Sequence, residues 1–162
     1  MKRVRHAPAV DQREETQKMD AAGKHHQSMH DQVISVVKQL RHEVPDCLAS
    51  GVVDMATGML LAYETTDNHP QEVLDLLAGA TLDLFQGRTV VMIENLFKER
   101  RGVSNNEHYF QEILVNSSHL THLFIRSNHN EDTVAVAVCP NSVNIGMLLA
   151  SARRVVKEYG AI

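Results

Sequence analysis

Tryptophan is absent from this chain of 162 residues, and aromatic side chains make up only 4% of it. Proteins that bind single-stranded nucleic acids commonly stack the bases on aromatic side chains, so the composition disfavours this class of function. No run approaches the roughly 18 apolar residues of a membrane span, and the N-terminal residues lack the apolar run of a secretory leader. We therefore expect a cytoplasmic protein with no membrane span.

Cysteine is scarce as well. The two cysteines, Cys47 and Cys139, lie too far apart in sequence to form a CxxC site. In a cytoplasmic protein such residues are usually small buried thiols, and a disulfide between them is the alternative. No carboxylate pair, nucleophile with its base, or metal-binding triad stands at a usable spacing. The sequence therefore predicts a non-catalytic protein without a cofactor.

Positive and negative charges are divided unevenly along the chain. Residues 1–30 carry six Lys or Arg and four Asp or Glu, whereas residues 31–162 carry ten and sixteen. The acidic second part argues against a nucleic-acid partner, because contacts to phosphates need a basic surface. Residues 1–29 also lack apolar periodicity, so we expect a polar, flexible tail before a domain at residues 30–160.

The most regular pattern lies near the C-terminal end. TVAVAVC (133–139) alternates Val with Ala, which is typical of a strand covered on both faces. NIGMLLASARRVVKEYG (144–160) then repeats apolar residues at helical spacing, and Asn144 can cap this helix. The small alanines indicate that a helix lies close over the strand.

The other elements complete an alternating order of helices and strands. A first helix is predicted from the apolar residues at 33, 36, 37, 40 and 44, and a hairpin from the segments 48–54 and 59–64. Strands are predicted within 108–115, 119–127 and 132–139, since turn-rich segments separate these runs. With a helix at 70–86, the order α-β-β-α-β-β-β-α predicts an α+β fold.

The helix at 70–86 has more apolar surface than one sheet can cover. Its polar strip, formed by Asp75, Gly79, Asp83 and Gln86, is only about 80° wide. Burying one further Leu or Phe is worth about 1.5–3 kcal/mol, so the excess indicates a second chain. Beyond Gly87 the apolar phase slips, and residues 88–93 are compatible with a helix, which we prefer, or with a short strand.

Several of these segments carry a family resemblance. The first hairpin reads ASGVVDMATGMLLA, later strands contain EILV and LFIR, and the close reads VAVAVCPNSVNIGMLL. In this order and spacing they resemble the roadblock/dynein light chain family over residues 31–160, with Asn144, Ile145 and Gly146 where the family has Asn-Leu-Gly. The resemblance implies a profilin-like α/β sandwich. Its five-stranded antiparallel sheet carries the second helix on one face and the two terminal helices on the other.

The same resemblance implies a function. Family members form homodimers, or heterodimers with a paralogous roadblock subunit, in which second helices pack together and third strands join edge to edge. Family members typically serve as dimeric platforms that bind small Ras-like GTPases and regulate their nucleotide cycle or localisation, or as adaptors on motor complexes. From this arrangement we expect an interface that includes Leu74, Leu77, Leu82, Phe85, Tyr109, Gln111 and Ile113.

Other readings of single residues remain open. His26 and His30 are spaced i,i+4 and would face a metal together on a helix, although a solvated tail is the simpler interpretation. Arg100 and Arg101 are either charge-stabilising groups for a bound GTPase or a solubilising helix end. The alternative functions are a small-molecule- or metal-sensing module, or a scaffold that does not regulate a GTPase.

Overall fold

The computed structural model describes residues 29–68 and 70–159. Residue contacts place Gln32–Ile162 in one compact unit, to which the fold described below belongs. The predicted N-terminal tail, with His25 and His26, lies outside the described residues apart from its end.

Five strands and four helices make up the described part of the chain. Helix α1 occupies residues 29–43. The other elements, in chain order, are β1 Ala49–Asp54, β2 Met59–Thr65, α2 Gln71–Gln86, α3 Arg88–Arg101, β3 Glu112–Asn116, β4 Leu120–Arg126, β5 Thr133–Pro140 and α4 Ile145–Tyr159. The predicted order is confirmed, with α3 added between α2 and β3. Residues 88–93 are helical, so the strand alternative for them was wrong.

The strands form one antiparallel sheet in the order β2-β1-β5-β4-β3. Strand β5 lies at its centre and pairs with β1 and β4, whereas β2 and β3 form the two edges. Cross-strand partners place three rows of side chains on one face of the sheet, since alternate residues of a strand point the same way. The register of the rows is set by Val53↔Val134, Gly51↔Val136 and Ala49↔Val138.

Helices cover both faces of this sheet, as the resemblance implied. On one face α1 and α4 enclose a core that includes Val36, Leu40, Leu148, Val155 and the β5 alanines. On the other face α2 contributes Ala78 and Phe85 to a smaller core. The alanines predicted to admit a close helix, Ala135 and Ala137, are buried under α1 and α4.

The junction between α2 and α3 depends on a glycine. Gly87 (φ −56°, ψ 153°) leaves helical geometry for one residue while its N–H donates to Asp83 O at 2.9 Å. A Cβ atom at this position would lie 2.4 Å from Asp83 O, which is too close for any side chain. Gly87 therefore separates two helices at the point where the apolar phase slips in the sequence.

Candidate functional site

Large apolar side chains are exposed along α2 and α3. We call them the α2–α3 apolar surface, and they are Val73, Leu76, Leu77, Leu84, Val91, Met92, Ile93, Leu96 and Phe97. Leu76 is 75% exposed and Leu77 is 53% exposed, which is unusual for leucine in a helix packed on a sheet. Exposed apolar patches of this kind mark surfaces that bind another molecule.

Helix α2 buries only one stripe. Its buried residues, Leu74, Ala78, Thr81 and Phe85, are spaced 4, 3 and 4 apart and face the sheet. Val73, Leu77 and Leu84 each precede a residue of this stripe by one position, so they lie on the flank of the helix next to the stripe. Three exposed apolar residues of α2 therefore lie on this flank, whereas Leu76, two positions after Leu74, lies on the face opposite the sheet.

The structure divides the seven predicted interface residues into three groups. Leu77, Tyr109 and Gln111 are exposed. Leu82 and Ile113 are half-buried and pack on the core beneath α2.

Leu74 and Phe85 are buried on the sheet-facing stripe of α2, and Phe85 is 0% exposed in the single chain. The membership of all seven residues in an interface stays a prediction. Three other residues, Leu76, Met92 and Leu96, were not predicted to lie in the interface. Each of them is more exposed than most of the seven residues that were predicted.

The face of the sheet beneath α2 is only partly covered. Residues Val53, Val134 and Arg126 form a fully buried row across the sheet. Four residues further along the strands lies a row that we call the open row, which consists of Ala49, Val138, His122 and Val115. Its first three members are half-buried and Val115 is exposed. The opposite face has no such gap along β5, where Ala135, Ala137 and Cys139 are all buried.

His122 gives the open row a titratable group. Its ring stacks on Phe124 with a centroid distance of 6.4 Å and an interplanar angle of 10°. Burial lowers the pKa of His122, because desolvation disfavours the imidazolium ion. The neutral form is therefore favoured near pH 7, and the row is largely apolar. His119, the other strand histidine noted in the sequence, is exposed.

Strand β3 presents a free backbone edge beside this row. Among the described strands its partner is β4, so the backbone groups on its other side have no strand to pair with. Leu114 and Val115 are exposed on it. Glu112 accepts two hydrogen bonds from Arg153 of α4, at 2.9 Å from Nε and 2.8 Å from Nη2, which ties the start of the strand to the domain. An unprotected apolar edge readily pairs with another strand.

A buried carboxylate joins α3 to the segment before β3. Glu94 accepts a hydrogen bond from Lys98 Nζ at 2.8 Å and another from the Tyr109 N–H at 3.0 Å, and His108 Nδ1 lies 3.4 Å away. Burial alone raises the pKa of Glu94, but the bonds from Lys98 and Tyr109 with the nearby positive charge outweigh it, and the net pKa is lowered. Glu94 is therefore a charged anchor that holds α3 against the segment before β3.

Aromatic contacts reinforce this anchor. Phe97 stacks on Tyr109 with ring centroids 5.2 Å apart and nearly parallel planes, and the Arg101 guanidinium lies 5.9 Å from the Phe97 ring centroid. Arg100 and Arg101 are exposed in the last turn of α3, which Gly102 ends in the left-handed conformation (φ 62°). At the C-terminal end of a helix, the positive charges of both residues interact favourably with the helix dipole. Both side chains are also accessible to a partner.

Arg126, in contrast, is buried and makes its hydrogen bonds inside the domain. It is buried beneath α2, its Nε donates to Phe110 O at 3.2 Å and one Nη donates to Glu131 O. The guanidinium carbon lies 5.1 Å from the centroid of the Phe85 ring. Burial lowers the pKa of Arg126, although nearby Glu131 opposes this effect. The residue links β4, the segment before β3 and α2, and it is inaccessible to a partner.

The domain also has two open clefts, of about 560 and 390 Å³. The larger is lined by Lys38, Gln39, Arg41, His42 and Glu64, and the smaller by Glu107, His108, Gln111, Ser127, Asn128 and Glu131. Within residues 29–68 and 70–159 no group of three or more His, Cys, Asp or Glu side chains is placed to hold a metal ion.

Helices α2 and α3 also have the hydropathy of a membrane span. Taken as one segment, Gln71–Arg101 has 31 residues and a mean hydropathy of 1.3 in its most apolar window, which suffices by length and composition alone. Gly87 divides this segment into two helices, and one stripe of α2 lies on the sheet. The apolar residues that give this segment its high hydropathy belong either to the α2–α3 apolar surface or to the buried stripe of α2.

Solved structures of other proteins share this architecture. An MglB with tetrameric arrangement is 16% identical to this chain, with a TM-score of 0.59 over 80% of this chain and 86% of that one. The gliding protein MglB from Thermus thermophilus is 16% identical, with a TM-score of 0.57 over 79% and 85%. A Roadblock/LC7 domain from Streptomyces avermitilis is 12% identical, with a TM-score of 0.54 over 76% and 90%.

Comparisons by sequence gave no such match. No protein-family model matches the chain, and no curated protein is significantly similar to it. The structural similarities show that the chain has the roadblock-domain fold.

Proposed function

We propose that this chain is a non-catalytic, cytoplasmic roadblock-domain protein that forms a dimer, binds a small Ras-like GTPase and regulates its nucleotide cycle or its localisation. The observation that carries the proposal is the combination of three features. These are the exposed flank of α2, the open row of the sheet and the free edge of β3. The roadblock-domain fold supports the proposal, because the sequence motifs and the similar solved structures indicate the same fold.

A second copy of the chain fits these three features together. Pairing two β3 edges in antiparallel fashion brings the partner's α2 beside the first α2, and the two helices can then cover both open rows. The arrangement is two-fold symmetric, as most homodimers are. Stable interfaces bury about 800 Å² on each partner, and nine large exposed apolar side chains on α2 and α3 can supply much of that area. A paralogous roadblock subunit with the same edge would fit equally.

Regulation requires more than binding. A dimer shifts the nucleotide cycle of a GTPase only if its affinities for the GTP and GDP states differ, and couplings between sites are typically about 1–3 kcal/mol. Equal affinity would make the protein a scaffold that localises the GTPase without switching it. Exposed Arg100 and Arg101, at the end of the same surface, are accessible for charge contacts with a GTPase.

The first experiment tests the dimer with matched variants. Leu77→Asp places a charge on the exposed flank of α2, and Met147→Asp places one on α4, where the side chain is exposed to a similar degree, 55%. Sedimentation equilibrium should show a dimer for the wild type and Met147→Asp, and at least a tenfold weaker one for Leu77→Asp, because a carboxylate would be desolvated in the interface. A monomeric wild type, or equal association of both variants, would refute the α2-mediated dimer.

The second experiment tests the partner. Purified wild-type protein is immobilised and incubated with native-host lysate in GDP or in a non-hydrolysable GTP analogue. Preferential retention of a small GTPase in one nucleotide state supports regulation. Equal retention in both states indicates the scaffold, and retention of no GTPase in either state contradicts GTPase binding. The Met147→Asp protein is the control, since α4 lies on the opposite face of the sheet.

A further inference from the structure

The two cysteines, distant in sequence, meet in the core under α1 and α4. Cys47 lies in the turn between α1 and β1, and Cys139 lies near the end of β5. The Cys47 thiol donates to Ala49 O at 3.2 Å, and the Cys139 sulfur lies 3.6 Å from Pro45 O, so both contact the same short turn. The Leu48 N–H donates to Val138 O at 2.7 Å, which fixes this turn beside β5. Because Ala49 pairs with Val138 in the sheet, Cys47 and Cys139 stand at neighbouring positions of the fold, and both side chains lie in the core cluster beneath α1 and α4.

Their surroundings make the two thiols chemically unequal. Donation by Cys139 and the nearby Arg41 cation lower the pKa of Cys47 from 9.0 to about 7, against the opposing effect of burial. The same contact and burial raise the pKa of Cys139. Arg41 is held in place because it donates a hydrogen bond to Cys47 O. Cys47, at 5% exposure, is also the more accessible thiol, since Cys139 is completely buried.

We propose that Cys47 and Cys139 form an oxidisable dithiol, in which Cys47 reacts with hydrogen peroxide and Cys139 completes an intramolecular disulfide. In the first step the Cys47 thiolate attacks one peroxide oxygen, the O–O bond breaks, and the departing hydroxide takes up a proton to form water. In the second step the Cys139 sulfur attacks the sulfenic sulfur, the S–O bond breaks, and the departing hydroxide takes the Cys139 proton. Two thiols are oxidised and one peroxide is reduced to two waters.

The disulfide would tie the turn after α1 to the end of the central strand. The two residues are roughly 90 positions apart, so the bond restricts the unfolded chain strongly and raises the melting temperature. It lies on the α1 and α4 face, away from the open row and the α2–α3 apolar surface. Oxidation is therefore expected to change stability and leave the oligomeric state unchanged, and this inference does not depend on the proposed function.

The test uses the folded, full-length protein. Wild-type protein is treated with hydrogen peroxide, free thiols are blocked with N-ethylmaleimide, and non-reducing peptide mapping is performed. We expect a peptide pair linked through Cys47 and Cys139 that has lost two hydrogen atoms, a melting temperature raised by several degrees and full reversal by dithiothreitol. The oxidation rate should increase about tenfold between pH 6 and pH 8, following the thiolate fraction of Cys47. Unlinked, blocked thiols after treatment, or links only between chains, would overturn the proposal.

Single variants assign the two steps. In Cys139→Ala, a dimedone adduct should accumulate at Cys47 without a disulfide. In Cys47→Ala, Cys139 should remain reduced under the same treatment because it is buried. Equal oxidation of Cys139 in the absence of Cys47 would show that the order of steps is wrong. The wild-type peptide map decides whether the disulfide forms even if one of these variants fails to fold.

Discussion

Replacing Glu94 should separate α3 from the rest of the domain. Its carboxylate accepts hydrogen bonds from Lys98 Nζ and from the Tyr109 N–H, and the structure buries it almost completely. A hydrogen bond to a charged group contributes about 1.5–3 kcal/mol. The ion pair with partly exposed Lys98 contributes at most about 1 kcal/mol. We therefore expect Glu94→Ala to lower the free energy of unfolding by about 2–4 kcal/mol at pH 7.

The effect of this substitution depends on pH in a defined direction. The net pKa of Glu94 is lowered from its ordinary value of 4.5 in the folded protein. A carboxyl group with a depressed pKa stabilises the fold above its unfolded pKa, and this contribution is lost as the pH falls through the folded value. The difference between wild type and Glu94→Ala or Glu94→Gln should therefore be full at pH 7 and decrease progressively below about pH 4.5.

Urea unfolding followed by circular dichroism measures this difference at a fixed protein concentration, so that association does not alter the comparison. Glu99→Ala is the matched control, since Glu99 is an exposed glutamate on the same helix. Its unfolding free energy should stay within about 0.5 kcal/mol of the wild type. If Glu94→Ala and Glu99→Ala destabilise equally, or if the Glu94→Ala difference is the same at pH 3.5 and pH 7, the anchoring role of Glu94 is refuted.

Two further predictions concern the α2–α3 junction and the open row. Gly87→Ala should lower the free energy of unfolding by about 1–3 kcal/mol in urea titrations, because its Cβ would lie 2.4 Å from Asp83 O, whereas Gly79→Ala, with open space around it, should not destabilise the fold. If a partner covers His122, protonation should oppose association, so the dimer dissociation constant should rise as the pH falls from 7 to 5. His122→Leu should remove that dependence in sedimentation experiments, and an unchanged dependence would show that other groups cause it.

The fold follows from the sequence wherever one residue period dominates. Alternating Val and Ala in β5 predicted a strand covered on both faces, and Ala135 and Ala137 are indeed buried under helices. The apolar stripe of the first helix, from Val33 to Val44, is buried as predicted. In these elements local periodicity and tertiary packing favour the same structure, so no long-range information is needed.

The surface was harder to predict, because several faces of α2 are apolar. Periodicity shows that the helix has excess apolar surface, but only packing on the sheet decides that Phe85 is buried and Leu77 is exposed. Glu94 and Arg126 were missed for a related reason. A charged residue in a helix or an edge-proximal strand is usually solvated, and the partners that bury these two side chains, Tyr109 N–H and Phe110 O, come from distant positions in the chain.

The two faces of the central strand β5 differ in how completely helices cover them. On the α1 and α4 side, Ala135, Ala137 and Cys139 are all buried, so changes there act on the stability of the single domain. On the α2 side, coverage decreases from Val134 to Val138, and the sheet ends in an open row beside a free strand edge. A substitution that weakens association without changing the free energy of unfolding is therefore expected on the α2 side alone. Oxidation of the cysteine pair should produce the opposite combination, a change in stability without a change in association.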